Sequence, residues 1–188
     1  RLRCDWSSDV CSSDLLRLPV SVNTELNELE PNDSNTTAHA VSLPVVISGH
    51  IDKPGDVDRF AFTVKKSDRF VFSVESFRLG FLLDGLLSIE DATGKELASN
   101  DDANKKRDPQ LTWTAPADGR YSVVLRSLLR KGGSEYFYRL QIYRPQPSFT
   151  ATVSVPQFAV NAGATNEVEV VVKYLDGLKG KLDRKSVV

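Results

Sequence analysis

Apolar side chains recur at every second residue through several short segments of this chain, and this period constrains the fold more than any other feature. Arg59–Val64 (RFAFTV) and Arg69–Ser76 (RFVFSVES) each place three large apolar residues on one face. The same alternation returns in Arg120–Ser127 and Tyr136–Tyr143. A period of two is that of a β-strand with one buried face. Turns rich in glycine and proline separate the strands, so we predict an all-β fold, an antiparallel β-sandwich.

The size and charge of the chain exclude several classes of protein. It has 188 residues and a formal net charge of −1 at pH 7. A nearly neutral chain lacks the basic excess that nucleic-acid-binding proteins carry. No apolar run of the sequence approaches the roughly 20 residues that span a bilayer. We therefore predict no nucleic-acid partner and no membrane span, and we expect a monomeric module.

Both ends of the chain resemble translated short-read sequencing adapter. The strings DWSSDVCSSD, within residues 1–14, and DRKSVV, at residues 183–188, correspond to complementary adapter DNA. We therefore set both segments aside as artefacts. Both cysteines lie in the first of these segments: Cys11 is part of the adapter string, and Cys4 directly precedes it. Cysteine usage consequently gives no indication of redox compartment or of a metal site.

The remaining chain divides into four segments. Residues 15–26 are an extended lead-in, and residues 27–144 hold the strands of the sandwich. The linker at 145–148 contains two prolines, which stiffen a chain and are excluded from central strands. Residues 149–182 contain further alternating segments, too few to close a core of their own. We interpret this last segment as a truncated second β-sandwich.

A short acidic segment precedes the clear strands. Glu28–Ser34 (ELEPNDS), hereafter the acidic segment, holds three carboxylates and a carboxamide around Pro31. Such hard oxygen ligands suit Ca²⁺, whereas zinc and copper favour histidine and cysteine. The alternative is a solvated linker with an Asx turn and a helix cap at Asn32, Asp33 or Ser34. The residue types alone leave both interpretations open.

A second acidic cluster lies in a long polar loop. Asn100–Asp102 and Asp108 could in principle hold a cation, but the neighbouring Lys105, Lys106 and Arg107 would oppose one. A charged surface loop is the favoured interpretation, with a second cation site as the alternative.

The sequence contains no motif that indicates catalytic activity. The two histidines, His39 and His50, belong to no Ser-His-Asp arrangement and to no HExxH motif. No glycine-rich loop precedes a helix, so a phosphate-binding cradle is absent too. We predict no catalytic residue and no enzymatic activity for the fragment itself, with surface or hydrogen-bonding roles for both histidines.

From about Asn27 to Tyr143 the chain resembles the bacterial pre-peptidase C-terminal domain. The matching motifs are ELEPNDS, SGHIDKPGDVDRFAFTV, LSIEDATGKELASNDD, LTWTAPADGRYSVVL and YFYRLQIY. The resemblance implies a jelly-roll-like β-sandwich that serves as an accessory module of secreted bacterial proteins, often peptidases. The tail from Phe149 resembles the start of an immunoglobulin-like domain.

The resemblance extends to the collagen-binding modules of clostridial collagenases and implies a calcium site. It assigns the ligands to Glu28, Glu30, Asn32, Asp33, Asp56 and Asp58. The spacing of the last two differs by about one residue from those modules, which leaves Asp52 as a substitute for Asp58. In the same relatives a tyrosine-rich strand face grips the ligand. Here Phe137, Arg139 and Tyr143 are the candidates for such a face, and packing of that face against the second domain is the alternative.

These observations lead to one expected function and two alternatives. We expect a non-catalytic, calcium-stabilised accessory module of a secreted, extracellular or cell-surface bacterial protein, in contact with neighbouring domains of its own chain. It would serve as a spacer, a folding aid or an adhesion surface. The first alternative is a module that binds an extracellular protein or polysaccharide. The second is a fragment of a secreted peptidase or other hydrolase whose catalytic domain lies outside this chain.

Overall fold

The computed structural model describes residues 21–102 and 107–146, together with the backbone of two strands between residues 149 and 174. The predicted adapter segments at 1–14 and 183–188 lie outside the described residues. The strands of the first unit are β1 Thr24–Asn27, β2 His39–Ala40, β3 Val45–His50, β4 Val57–Val64, β5 Arg69–Glu75, β6 Gly85–Asp91, β7 Glu96–Asn100, β8 Gln110–Thr114, β9 Gly119–Ser127 and β10 Phe137–Tyr143. A short 3-10 helix covers Phe77–Leu79.

The strands form two five-stranded sheets. The first sheet has the order β1-β3-β10-β5-β8, and the second has the order β2-β4-β9-β6-β7. Successive strands from β1 to β4 alternate between the two sheets, so the chain repeatedly crosses from one layer to the other. The predicted all-β sandwich is confirmed.

The core lies between the sheets and consists of the residues that the alternation predicts to face inward. In β4 the side chains of Phe60, Phe62 and Val64 are buried in one cluster with Phe70 and Phe72 of β5. The rings of Phe62 and Phe72, from opposite sheets, lie 5.6 Å apart. Burying a large apolar side chain stabilises a fold by about 1.5–3 kcal/mol, so these rows hold the layers together.

Two edge pairs run parallel, which differs from the purely antiparallel pairing expected from the sequence. β1 pairs parallel with β3, and β2 pairs parallel with β4. Parallel neighbours require a crossover connection rather than a tight turn. The chain between β1 and β3 supplies it by visiting the second sheet at β2. The acidic segment is the first half of this crossover, and the fold therefore carries it from one sheet to the other.

The second unit comprises Pro145–Val188. Within it, β11 (Phe149–Ser154) pairs antiparallel with β12 (Glu169–Tyr174), in the two stretches where the alternation predicts strands. In the described part of the chain no helix is long and apolar enough to cross a bilayer.

Candidate metal centre

The fold brings the acidic segment against the turn that leads into β4. The backbone N–H of Glu28 donates to the carbonyl of Ser48 on β3, which continues the β1–β3 pairing by one residue. The segment then passes the start of β4, where Asp56 and Asp58 are buried. Two parts of the sequence that are about 25 residues apart thus meet at the same end of the sandwich.

Carboxylate oxygens converge there in two overlapping groups. Glu28, Glu30 and Asp58 offer oxygens within 4.8 Å of one another, and so do Glu30, Asp52 and Asp56. Glu30 belongs to both groups and links them. Asp52, expected only as a substitute, therefore joins the cluster together with Asp58 rather than in place of it. We call these five residues the carboxylate cluster.

Asp58 is the most deeply placed member of the carboxylate cluster. Its residue is 0% exposed, and its Oδ2 accepts a hydrogen bond from the Tyr138 hydroxyl at 2.5 Å. Its Oδ1 is buried and has no hydrogen-bond partner among the residues that the structure describes. Burial, followed by the negative charge of Glu28, raises the pKa of Asp58 from 3.8 to about 9. A buried acceptor left unpaired is unfavourable unless something else compensates it.

Glu28 lies beside Asp58 and shares the same tyrosine. Its Oε1 accepts a hydrogen bond from the His50 backbone N–H at 2.6 Å, and its Oε2 lies 2.8 Å from the Tyr138 hydroxyl, whose single proton Glu28 and Asp58 share. Burial is the main cause of the raised pKa of Glu28, and the charge of Glu30 adds to it. Gly49 makes this approach possible, because a Cβ there would lie 2.3 Å from the Tyr138 hydroxyl and 2.6 Å from a Glu28 oxygen.

Glu30 and Asp56 form the outer part of the carboxylate cluster. Backbone N–H groups hold them: that of Asn32 donates to Glu30 at 2.9 Å, and that of Asp52 donates to Asp56 at 2.7 Å. Burial raises the pKa of both carboxyls first, and neighbouring carboxylates raise it further. Folding thus brings these carboxyls close together, and each one disfavours the ionised form of its neighbours.

The other two predicted ligands lie at the edge of the cluster. Asn32 is fully buried, its Oδ1 accepts from the backbone N–H of Arg59 at 3.3 Å, and its Nδ2 has no partner. Asp33 is exposed, and its charge and hydrogen bonding contribute to the raised pKa of Asp56. Both residues of the acidic segment therefore lie close to the turn before β4, although neither belongs to the two converging carboxylate groups.

A turn built on Ser34 and Thr37 follows the acidic residues, where the linker interpretation expected an Asx turn and a helix cap. The N–H of Thr37 donates to the Ser34 carbonyl at 3.1 Å, and the two side-chain hydroxyls are 2.8 Å apart. This single turn leads into β2 and not into a helix. The turn therefore caps no helix, and Asn32 is buried rather than solvated, so the linker interpretation holds only for the presence of a turn.

The carboxylate cluster has the chemistry that a calcium ion requires. Ca²⁺ takes six to eight oxygen ligands in flexible geometry. The cluster offers five carboxylates, and the Oδ1 of Asp58 is a buried acceptor that no group in the described part of the chain satisfies. Sequence reasoning missed Tyr138 as part of this site, because its position on β10 marks it only as a core-facing residue.

Phe137, Arg139 and Tyr143, the three residues of the predicted binding face, all lie on β10 but in different surroundings. Phe137 is 43% exposed, and its ring stacks on His50 with centroids 4.5 Å apart. Together with Phe81 and Leu79 it lines a groove of about 550 Å³. Tyr143, at the far end of the strand, is half-buried and accepts a hydrogen bond from the Gln110 side chain.

Arg139 differs from the exposed position that a binding face requires. It is 6% exposed, and its guanidinium pairs with Glu25 on β1 and Glu75 on β5. An arginine on the outer side of a sheet becomes buried when carboxylates on neighbouring strands pair with it. Arg139 therefore ties β1 to the sheet, and Phe137 is the exposed member of the predicted face.

His50 and the second acidic loop have hydrogen-bonding partners, whereas the ring of His39 packs against Phe60 and its buried Nδ1 has no partner among the described residues. The imidazole of His50 contacts the carboxylate of Asp52 and the carbonyl of Gly133. Asp108 accepts hydrogen bonds from three successive backbone N–H groups, those of residues 76, 77 and 78, at the start of the 3-10 helix. Residues 103–106 of that loop, with Lys105 and Lys106, lie outside the described part of the chain.

Comparisons with known proteins give one relative by sequence and several by structure. No family model matches the chain. Over 101 residues the chain is 40% identical to a probable subtilase-type serine protease of Deinococcus radiodurans, and the match covers 52% of this chain but 14% of the protease. The pre-peptidase C-terminal domain of a collagenase from Bacillus anthracis matches with a TM-score of 0.45 and 18% identity, over 56% of this chain and 93% of that domain.

A further structural match is a periplasmic inhibitor of g-type lysozyme from Aeromonas hydrophila. Its TM-score is 0.41 at 12% identity, over 64% of this chain and 95% of the inhibitor. The chain is thus similar in sequence to a segment of a subtilase-type protease and in structure to a pre-peptidase C-terminal domain.

Proposed function

We propose that residues 27–144 form a non-catalytic, calcium-stabilised accessory module of a multidomain bacterial protein that acts outside the cytoplasm. The observation that carries the calcium assignment is Asp58, a fully buried carboxylate with an unpaired oxygen. Glu28 and Glu30 present further oxygens within 4.8 Å of it. A bound Ca²⁺ would pair with that oxygen and offset the repulsion within the carboxylate cluster.

The position of the cluster explains what calcium would do. The acidic segment follows the edge strand β1, while Asp56 precedes β4 of the other sheet. A cation held by both would connect the two layers at one end of the sandwich. Since a ligand that binds only the folded state stabilises it, calcium at a hundred times its dissociation constant would add about 2.7 kcal/mol.

Thermal unfolding of the full chain with calcium and with EDTA tests the proposal. We expect calcium to raise the melting temperature by roughly 10 °C, since about 1 kcal/mol shifts a domain of this size by several degrees. Asp56→Asn should lose most of this shift. Asp118→Asn, which changes an exposed carboxylate outside the cluster, should keep it. Equal melting temperatures in calcium and EDTA would refute a calcium site.

The match to a segment of a subtilase-type protease supports a position beside a catalytic domain in a longer chain. The module would then act as a spacer, a folding aid or an adhesion surface for that domain. On this proposal the present chain is part of a secreted peptidase or related hydrolase, and the full-length gene should encode a catalytic domain. A complete gene that encodes only accessory modules would contradict this part of the proposal.

A second candidate function is binding of an extracellular protein or polysaccharide at the groove beside Phe137. The exposed ring of Phe137, packed against His50 and Phe81, favours it, because exposed aromatic clusters are common in binding sites. Phe137→Ala should weaken adsorption of the chain to an insoluble polymer, such as collagen or chitin, without lowering the melting temperature. Leu97→Ala, an exposed residue on β7, is the control. Unchanged adsorption by Phe137→Ala would exclude the groove.

A further inference from the structure

Arg59 lies on the opposite side of β4 from the carboxylate cluster. It follows Asp58 directly, and successive residues of a strand point to opposite faces. Asp58 therefore faces the core and the cluster, whereas the Arg59 side chain lies on the outer side of the second sheet. The acidic segment passes over the start of β4 and contacts residues on both faces of that strand.

Arg59 contacts the acidic segment and the residue that follows it through three hydrogen bonds. Its backbone N–H donates to Asn32 Oδ1 at 3.3 Å, its Nε donates to the carbonyl of Asp33 at 3.1 Å, and its Nη1 donates to Asn35 Oδ1 at 3.2 Å. All three acceptors are uncharged oxygens. The guanidinium makes two of these bonds and thus anchors this stretch without occupying the carboxylates that a cation would use.

Glu90 holds the guanidinium in place. It lies on β6, which is separated from β4 by β9, and its carboxylate pairs with Nη1 of Arg59. The side chains of Arg59 and Glu90 are only 17% and 9% exposed. The register of β6 against β7 shifts between Ile89 and Glu90, at this position. Because Glu90 neutralises Arg59, the arginine adds little net positive charge beside a cation site.

We propose that Arg59, oriented by Glu90, is the positioning residue that keeps the acidic segment folded over β4 before a cation binds. Without it, ordering of the segment and the repulsion among its carboxylates would both have to be overcome at the moment of binding. The inference rests on the proposed calcium site for its effect on affinity. Its effect on the cation-free segment is independent of that site.

Hydrogen exchange of the cation-free chain tests the positioning role directly. In EDTA, Arg59→Met should speed exchange of the backbone amides of residues 28–37 at least tenfold, while amides of β9 and β10 keep their protection. Arg120→Met, an identical change at an exposed residue of β9, should leave the segment unaffected. If exchange in residues 28–37 is the same in Arg59→Met as in the unmodified chain, the positioning role is wrong.

Calorimetric titration with calcium supplies the second readout. Arg59→Met and Glu90→Gln should each weaken calcium binding about tenfold at 25 °C, where both variants remain folded. A residue that only supports the fold would lower the melting temperature in EDTA and leave the dissociation constant unchanged, and that result overturns the inference. If the unmodified chain binds no calcium, the proposed function fails, and hydrogen exchange still decides the role of Arg59.

Discussion

The calcium-free protein should become more stable when it is acidified from pH 7 to pH 5. The pKa of Asp58 rises from 3.8 to about 9 on folding, so the folded state binds a proton that the unfolded state has lost throughout this range. Stability from such a group is fully present below pH 3.8 and is lost as the pH rises through about 9. Each pH unit between these values changes the free energy of unfolding by about 1.4 kcal/mol.

Two pH units therefore correspond to a gain of about 2.7 kcal/mol from Asp58 alone. The raised pKa values of Glu28, Glu30 and Asp56 act in the same direction. Three carboxyls outside the cluster have lowered pKa values, and the stability that they contribute is lost only as the pH falls below about 4, outside this range. They are Asp68, Asp91 and Asp118.

Urea unfolding at 25 °C, at pH 5, 6 and 7 in EDTA, measures this dependence. Asp58→Asn cannot titrate and should remove most of it. In saturating calcium the sign should reverse, because protons then compete with the cation for the same oxygens. A calcium-free protein whose stability is constant or falls from pH 7 to pH 5 would refute the argument that Asp58 is buried next to other carboxylates.

Two further changes test a close contact within the site and a hydrogen bond elsewhere in the sandwich. Gly49→Ala should destabilise the chain by about 1–3 kcal/mol in urea unfolding, because the new Cβ would lie 2.3 Å from the Tyr138 ring; a neutral effect would mean that Tyr138 is placed differently. Tyr121→Phe removes the hydroxyl that donates to the carbonyl of Ala117 at 3.0 Å and should cost about 1 kcal/mol, whereas an unchanged unfolding midpoint would mean that this bond contributes nothing.

The strands could be predicted because their pattern is local. In β4 and β5 every second residue is large and apolar, and the backbone geometry of a strand alone turns those residues to one face. The acidic residues of the acidic segment and of the turn before β4 can likewise be identified from the sequence. Their chemistry is a matter of residue types, so hard oxygen ligands could be proposed without coordinates.

The pairings within the sheets were not local and could not be predicted. Whether β1 and β2 pair parallel with their neighbours depends on the crossover of the acidic segment between two sheets. The same crossover brings Glu30 to Asp52 and Asp56, whereas the resemblance to the collagenase modules had offered Asp52 only as a substitute for Asp58.

The amino-acid sequence by itself determined the fold class, the inward rows of the core and the segments rich in calcium-type ligands, since each depends on residue type and short spacing. Only the tertiary structure decided which charged side chains are buried and which groups they pair with. Tyr138 meets Glu28 across 110 residues of sequence, Arg59 meets Glu90 across an intervening strand, and Arg139 is enclosed by carboxylates. Such pairs arise from the register of neighbouring strands and from the stacking of two sheets, and no short-range pattern encodes either.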